Sequence, residues 1–259
     1  TEIYTLSLHD ALPISEQVQS VPGYEQIFSR TSLLIGDAGL RRLAAARVLI
    51  AGVGGVGSCA VEVLARAGMG RLTLVDSDTV QVSNINRQLH ALTTTLGQPK
   101  VRVMAERLLQ INPGLQVVPL QELITPDNVS DLLEPGYDLV LDAIDSFGAK
   151  LALLQNCVEC QIPVISSMGA AGKLDPTRIQ IADIADSQGC RLARKLRKEL
   201  RRSGISTGVT VVYSDEPCSL ECLGEPETEG ERRPLGTISY LPAAFGLFMA
   251  SAAIRRLLG

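Results

Sequence analysis

The stretch Arg47 to Asp76, RVLIAGVGGVGSCAVEVLARAGMGRLTLVD, constrains the fold more than any other part of the chain. Arg47 to Ala51 is a short apolar run of the kind that makes a buried strand. Gly52, Gly54 and Gly57 follow as a Gly-x-Gly-x-x-Gly turn, with Gly55 inside it, leading into helical spacing. Glycines suit that turn because the backbone must reverse sharply without a Cβ and come close to a phosphate. The N–H groups of a helix starting at Gly57 and Ser58 would face that phosphate. A second strand, Leu72 to Val75, ends in Asp76. A carboxylate at that strand tip, roughly 20 residues beyond the glycines, is placed to accept hydrogen bonds from a ribose. The whole unit predicts an α/β, Rossmann-like domain: a mostly parallel sheet with helices on both faces and a ligand at the carboxyl ends of the strands. A glycine-rich turn without a ligand explains the glycines alone, but not the strands, helix and acid around them.

After Asp76 the polar residues are not distributed as in a linker. Asn84, Asn86, Arg87 and Gln88 fall together in a turn, and Lys100 follows Gly97 and Pro99 at the start of a helix predicted to run to about Gln110. Two cations beside a nucleotide loop suit an enzyme that displaces diphosphate, where negative charge builds on the leaving group. Solvated surface charge is the bland alternative, and His90 beside them reads as structural. Leu115 to Pro119 is an expected strand and Thr125 to Leu133 an expected helix. Tyr137 to Ile144 is a buried strand that delivers Asp145 and Ser146 to the same rim as the glycines, where Asp145 could hold Mg²⁺. Asp142, inside that strand, is expected to be satisfied structurally. A helix from Lys150 to Cys160, a strand from Ile162 to Ser166 and a turn from Ser167 to Gly172 complete the rim. Upstream, Tyr24 to Leu43 reads as one or two helices broken at Gly36, with Arg30 ahead of Leu33, Leu34 and Ile35.

At 259 residues, 46% hydrophobic, the chain can bury one substantial core, and we expect a single domain over residues 21–259. Residues 1–20 are set aside as a tail, either non-native, since LSLHDALPI resembles a translated sequencing adaptor, or an ordinary flexible terminus; in both readings His9 carries no chemistry. A net charge of −4 confines any nucleic-acid contact to a local patch, and the absence of tryptophan argues against base-stacking platforms. The six cysteines lack the density of a secreted disulfide scaffold, so a cytoplasmic location is expected. Cys157 and Cys160 form one Cys-x-x-Cys, whereas Cys218 and Cys222 are four apart, so no structural zinc is expected. Leu241 to Ile254 is apolar but too short for a membrane span and reads as a buried C-terminal helix. Arg191 to Arg202, RLARKLRKELRR, is a basic amphipathic helix; it is either a solvated face or an RNA phosphate contact through Arg191, Arg194, Lys195, Arg197 and Lys198. Gly208 to Tyr213 is a further strand, and Ser214 to Leu235 an acidic loop able to close over substrate.

The runs GVGGVGS, LVDSD, NINRQ, GQPK and DAIDS, in this order and spacing, resemble the ubiquitin-activating-enzyme-like (E1-like) ATP-dependent adenylating family, from about Tyr24 to Gly259. FSRTSLLIG, NRQLHAL, MAERLLQINP and the C-terminal RRPLGTISYLPAAFGLFMASAAI are most similar to its tRNA-modifying branch. The resemblance implies adenylation of a carboxylate by Mg·ATP. The nucleotide would be held by Gly52, Gly54, Gly55, Gly57, Asp76, Asp78, Asn86, Gln88 and Ser146, with Arg87 and Lys100 on the triphosphate and Asp145 on Mg²⁺. It also implies a homodimer, with Arg30 crossing into the partner's site. In the tRNA-modifying branch the substrate is tRNA carrying N6-threonylcarbamoyladenosine at position 37, with a cysteine desulfurase or sulfur-acceptor system as a further partner. The alternatives are activation of a sulfur-carrier or ubiquitin-like protein C-terminus, a nicotinamide-dependent oxidoreductase, or a non-catalytic nucleotide-binding module.

Overall fold

A computed structural model of the chain describes residues 23–218 and 235–259. The tail, Cys222 and most of the acidic loop lie outside the described residues. Seven strands form one sheet in the order β3-β2-β1-β4-β5-β7-β6. They are β1 (Arg47–Ala51), β2 (Arg71–Val75), β3 (Gln116–Leu120), β4 (Leu139–Asp142), β5 (Val164–Ser167), β6 (Ile179–Asp183) and β7 (Thr210–Ser214). All neighbours pair in parallel except β6, which runs antiparallel to β7 at one edge. The helices are α1 (Tyr24–Ile27), α2 (Ser29–Ala45), α3 (Gly55–Arg66), α4 (Lys100–Ile111), α5 (Val129–Leu133), α6 (Phe147–Glu159), α7 (Arg191–Arg202) and α8 (Tyr240–Leu258).

Side chains alternate across the central strands, as the pleat requires. Val48 and Ile50 of β1 and Leu139 and Leu141 of β4 face a core built with α3, α4 and α8, including Leu64, Met104 and Phe245. Leu49, Ala51 and Val140 face a second core built with α5, α6 and α7, including Leu132, Leu153 and Leu196. Strands buried on both faces explain why they read as continuous apolar runs rather than as alternating ones.

Several sequence boundaries shift. α3 begins at Gly55, two residues before the expected Gly57, because Gly54 already serves as its extended N-cap. The helix expected from Thr125 contracts to α5, since the Asn128 side chain folds back and its Oδ1 accepts the Thr125 N–H at 2.8 Å, holding residues 125–128 in turns. The unanticipated β6 is an edge strand with a half-exposed face. Gly36, with φ 70 and ψ 166, breaks α2 where expected. α8 is longer than expected: its 19 residues, with mean hydropathy 1.4, are enough by length and composition to cross a membrane. Leu241, Phe245, Met249 and Ala253 of this helix are nevertheless buried in the core beside α3.

Candidate active site

The strand order places β1 between β2 and β4, with the chain leaving β1 toward one side and arriving at β4 on the other. In open parallel sheets that switch is where ligands bind, beyond the carboxyl ends of the strands. Gly52 turns the chain off β1 with φ 90, and its N–H donates to the Val75 carbonyl at 2.8 Å. A Cβ there would lie 2.7 Å from the Ala143 carbonyl oxygen, so only glycine lets the loops after β1 and β4 approach. The other two motif glycines divide the remaining work. A Cβ on Gly54 would meet nothing nearer than Gln88 Nε2 at 3.8 Å and would project into open space, whereas a Cβ on Gly57 would lie 1.9 Å from the Gly52 carbonyl oxygen. Gly54 therefore leaves the turn open to the cleft, and Gly57 packs the helix against the turn.

The open space is a cleft of about 700 Å³. Of the nucleotide-site residues expected from the sequence, Gly52, Gly54, Gly55, Asp76, Asp78, Arg87, Gln88, Lys100, Asp145 and Ser146 line it. Gly57, Asn86 and Arg30 do not. Asn86 instead supports a neighbour: its Oδ1 accepts from Arg87 Nη1 at 2.8 Å and its Nδ2 donates to the Thr237 carbonyl at 3.0 Å. Arg30 is exposed on α2. The lining also includes Glu122, Leu123 and Ile124 after β3, Leu192 of α7, Leu235 and Thr237 leading into α8, and Pro242 in its first turn. The sequence signal for the first three was their place beyond the end of a rim strand; the others reach the cleft only through long-range packing.

Charge is arranged around the glycine turn. Lys100 is 5% exposed, and its Nζ lies 2.7 Å from Asp78 Oδ2, with the Lys100 N–H donating to the Asp78 carbonyl at 3.0 Å. Asp78 thus holds a nearly buried ammonium at the cleft wall, where low dielectric strengthens its field. Arg87 Nη1 also donates to the Ser83 carbonyl at 2.8 Å, fixing the guanidinium, while the base of the Arg87 side chain lies beside Gly55. Asp76 Oδ2 accepts the Val53 N–H at 2.7 Å and Oδ1 accepts the Asp78 N–H at 2.9 Å, tying the strand tip to the glycine loop. Each carboxylate oxygen keeps a second lone-pair direction for a ligand hydroxyl. Asp145 and Ser146 are exposed at the start of α6. His90 is buried with neither ring nitrogen hydrogen-bonded, and its imidazole falls to about 4 through burial first and the positive charges of Lys100 and Arg107 next.

Asp142 is wholly buried and bound by Lys150 Nζ at 2.6 Å. Among the described residues no three His, Cys, Asp or Glu side chains cluster as metal ligands. Burial, then Asp142 and Cys160, push the buried Cys157 thiol up to about 12.

The basic helix α7 borders this cleft rather than standing apart, because Leu192 enters the lining while Leu196 and Leu200 sit in the core. Arg191, Arg194, Lys195 and Lys198 are exposed, and Lys195 Nζ lies 3.9 Å from the Phe147 ring centroid, directly after Ser146. Arg197 departs from the expected RNA-facing set. Its Nη1 donates to the Ile184 carbonyl, the Ser187 carbonyl and Ser187 Oγ at 2.9, 2.8 and 2.7 Å, so its charge is used inside the protein.

A Gly-rich turn at the switch point, two cations and a rim carboxylate on one cleft are the features of a nucleotide-binding α/β protein. The ThiF family model matches residues 28–259, and the chain belongs to that family. Within it, the chain is 43% identical to the tRNA threonylcarbamoyladenosine dehydratase of Bacillus subtilis (strain 168) over 239 residues, covering 89% of this chain and 94% of that one. The Escherichia coli (strain K12) protein of the same name is 38% identical over 253 residues, covering 91% and 94%. The crystal structure of E. coli tRNA N6-threonylcarbamoyladenosine dehydratase in complex with ATP superposes with a TM-score of 0.82 at 38% identity, covering 92% of this chain and 96% of that one.

Proposed function

We propose that the chain is a tRNA threonylcarbamoyladenosine dehydratase, which uses ATP to cyclise N6-threonylcarbamoyladenosine at position 37 of tRNA to its hydantoin form. The observation that carries this reading is the convergence of Gly54, Arg87, Lys100 and Asp145 on one cleft in a chain so similar along its length to dehydratases of that name. The cradle fits a nucleotide: Gly54 leaves open the volume that a Cβ would fill.

In the first step the threonyl carboxylate attacks the α-phosphate of ATP. A carboxyl C–O–P linkage forms, and diphosphate leaves with the electron pair of the broken P–O bond. Lys100 and Arg87 supply positive charge where that leaving group gathers negative charge. Mg²⁺, held by Asp145, would neutralise phosphate charge; one protein carboxylate is a usual share for an ion whose other ligands are phosphates and water. In the second step a nitrogen of the same carbamoyl group attacks the acyl carbon. The C–N bond closes the ring, AMP departs with the carboxyl oxygen, and the N–H proton passes to solvent. This closure is intramolecular, gains from proximity, and requires no protein nucleophile.

The RNA would dock on Arg191, Arg194, Lys195 and Lys198. A homodimer in which Arg30 reaches the partner's cleft is supported by Leu33 and Leu34, 80% and 87% exposed beside it on α2. A sulfur-acceptor partner finds no specific support among the described residues. The test is diphosphate release from ATP with tRNA carrying the modified nucleoside, followed by nucleoside mass analysis. The expected result is tRNA-dependent release and loss of one water from that nucleoside. Release that ignores tRNA and requires a small protein ending in Gly-Gly would replace this reading with the protein-activating one.

A further inference from the structure

Beneath the cleft lies a charged cluster that the chemistry above does not use. Lys150, in the first turn of α6, is 1% exposed and is among the largest fully buried side chains. Its Nζ donates to Asp142 Oδ2 at 2.6 Å, to Ser166 Oγ at 3.3 Å and to the Ser167 carbonyl at 3.0 Å, so all three ammonium protons are directed. Ser166 Oγ also donates to Asp142 Oδ2 at 2.5 Å, and Asp142 Oδ1 accepts the Ile144 N–H at 3.1 Å. Asp142 and Ser166 are partners in the β4–β5 register and are both completely buried.

Stability gives no reason for this arrangement. A buried ion pair loses hydration on both partners and is commonly matched or bettered by apolar residues of similar volume. Its placement suggests another use. The segment after Asp142 carries Ala143, Ile144, Asp145 and Ser146 into the cleft wall, and the segment from Ser167 carries Met168 and Gly169 into it. The Asp142–Ile144 bond turns the first segment as it leaves β4, and the ammonium ties the exits of β4 and β5 to the start of α6. Apolar side chains could fill the same volume but could not fix those exits in direction.

We propose that Lys150, acting through Asp142, is a positioning residue for adenylation, one that sets Asp145 and the Ser167–Gly169 segment relative to each other. The proposal rests on the adenylating reading above. The discriminating variant is Lys150→Met/Asp142→Leu/Ser166→Ala, which removes both charges and the hydroxyl together; the Ile144 N–H and the Ser167 carbonyl lose their partners, a cost offset by no longer burying two charges. Its melting temperature and its ATP affinity in EDTA should stay close to those of the parent protein. Its kcat for diphosphate release should fall by about 10²-fold with KM for tRNA little changed, the loss expected for misplacement of about 1 Å. Lys150→Met alone should melt far lower, because it strands the Asp142 charge. Should the triple variant not fold, Lys150→Met/Asp142→Asn, which removes both buried charges together and keeps a side-chain oxygen for the Ile144 N–H, should show the same split with a loss of at least about 10-fold. A folded variant of either kind with turnover close to the parent's would make the cluster mere core filling and overturn the proposal. A parent protein that releases no diphosphate with tRNA would instead overturn the dehydratase reading; the same variants would then be compared with the protein acceptor that does support release.

Discussion

Replacing Gly54 and Gly57 separately by alanine tests the division of labour within the glycine turn. At Gly57 the new Cβ would lie 1.9 Å from the Gly52 carbonyl oxygen, a backbone atom already held in the tight turn after β1. Ordinary contact begins near 3.4 Å, so the start of α3 would have to retreat by about 1.5 Å. Overpacking of that size costs about 2–3 kcal/mol, or roughly 5–10 °C in melting temperature for a domain of this length. At Gly54 the nearest atom is a flexible side-chain nitrogen at 3.8 Å and the backbone has φ −82, so alanine fits the unliganded fold and melting should not change. The methyl group would instead occupy the space that the phosphates approach. A clash of about 1–3 kcal/mol confined to the complex weakens ATP binding by roughly 10- to 100-fold. Differential scanning calorimetry and titration calorimetry on both variants read the two effects independently. Unaltered melting of Gly57→Ala together with unaltered ATP affinity of Gly54→Ala would refute the assignment.

Lys100→Ala and Arg87→Ala should each slow diphosphate release by about 10²-fold or more, the scale of a lost transition-state charge contact; a loss confined to tRNA affinity would reassign them. Asp145→Asn should abolish metal-dependent release while the melting temperature holds, and undiminished turnover would remove Asp145 from the site. His90 makes stability depend on pH. Its ordinary value of 6.5 is lowered to about 4 on folding, so as pH falls the unfolded chain takes up the proton first. Stability is therefore full above pH 6.5 and declines between 6.5 and about 4, by up to about 3 kcal/mol. His90→Leu should flatten that part of the melting curve, and parallel pH profiles would contradict it. Replacing Arg191, Arg194 and Lys198 by alanine should weaken tRNA binding and reduce its salt slope by about 0.7–0.9 per lost contact, with ATP affinity kept; an unchanged slope would leave α7 merely solvated.

The parts of the site that were legible in the sequence are those set by short-range rules. The glycine turn, Asp76 and Asp145 follow from strands that end where apolar runs stop, and the exposed basic face of α7 follows from leucines recurring every fourth residue. What was not legible depends on partners far along the chain. That a side chain at Gly57 would strike the Gly52 carbonyl, and that Asn86 bonds to Thr237, 151 residues away, cannot be read from local spacing. Arg197 is indistinguishable in sequence from Arg194 one turn earlier, yet three oxygens at Ile184 and Ser187 claim it. The β6 strand was hidden because a short antiparallel edge strand buries too little to leave a continuous apolar run.

The placement of α7 bears on how substrate binding is used. Of its seven basic residues, Arg197 is bound to loop oxygens and Arg202 to Glu199, while Arg191, Arg194, Lys195, Lys198 and Arg201 remain exposed. The same helix sends Leu192 into the cleft lining and anchors itself by Ala193, Leu196 and Leu200. An RNA backbone held on that face is therefore already at the mouth of the cleft, with no hinge or linker between the two surfaces. Contacts made to parts of the RNA remote from the reacting carboxylate can then contribute to orienting it, the situation in which binding energy is expressed in the chemical step rather than in affinity alone. A short modified oligonucleotide that fills the cleft but cannot reach Arg194 and Lys198 should accordingly lose kcat as well as affinity. A loss appearing only in KM would mean that α7 holds the RNA without helping to orient its reacting end.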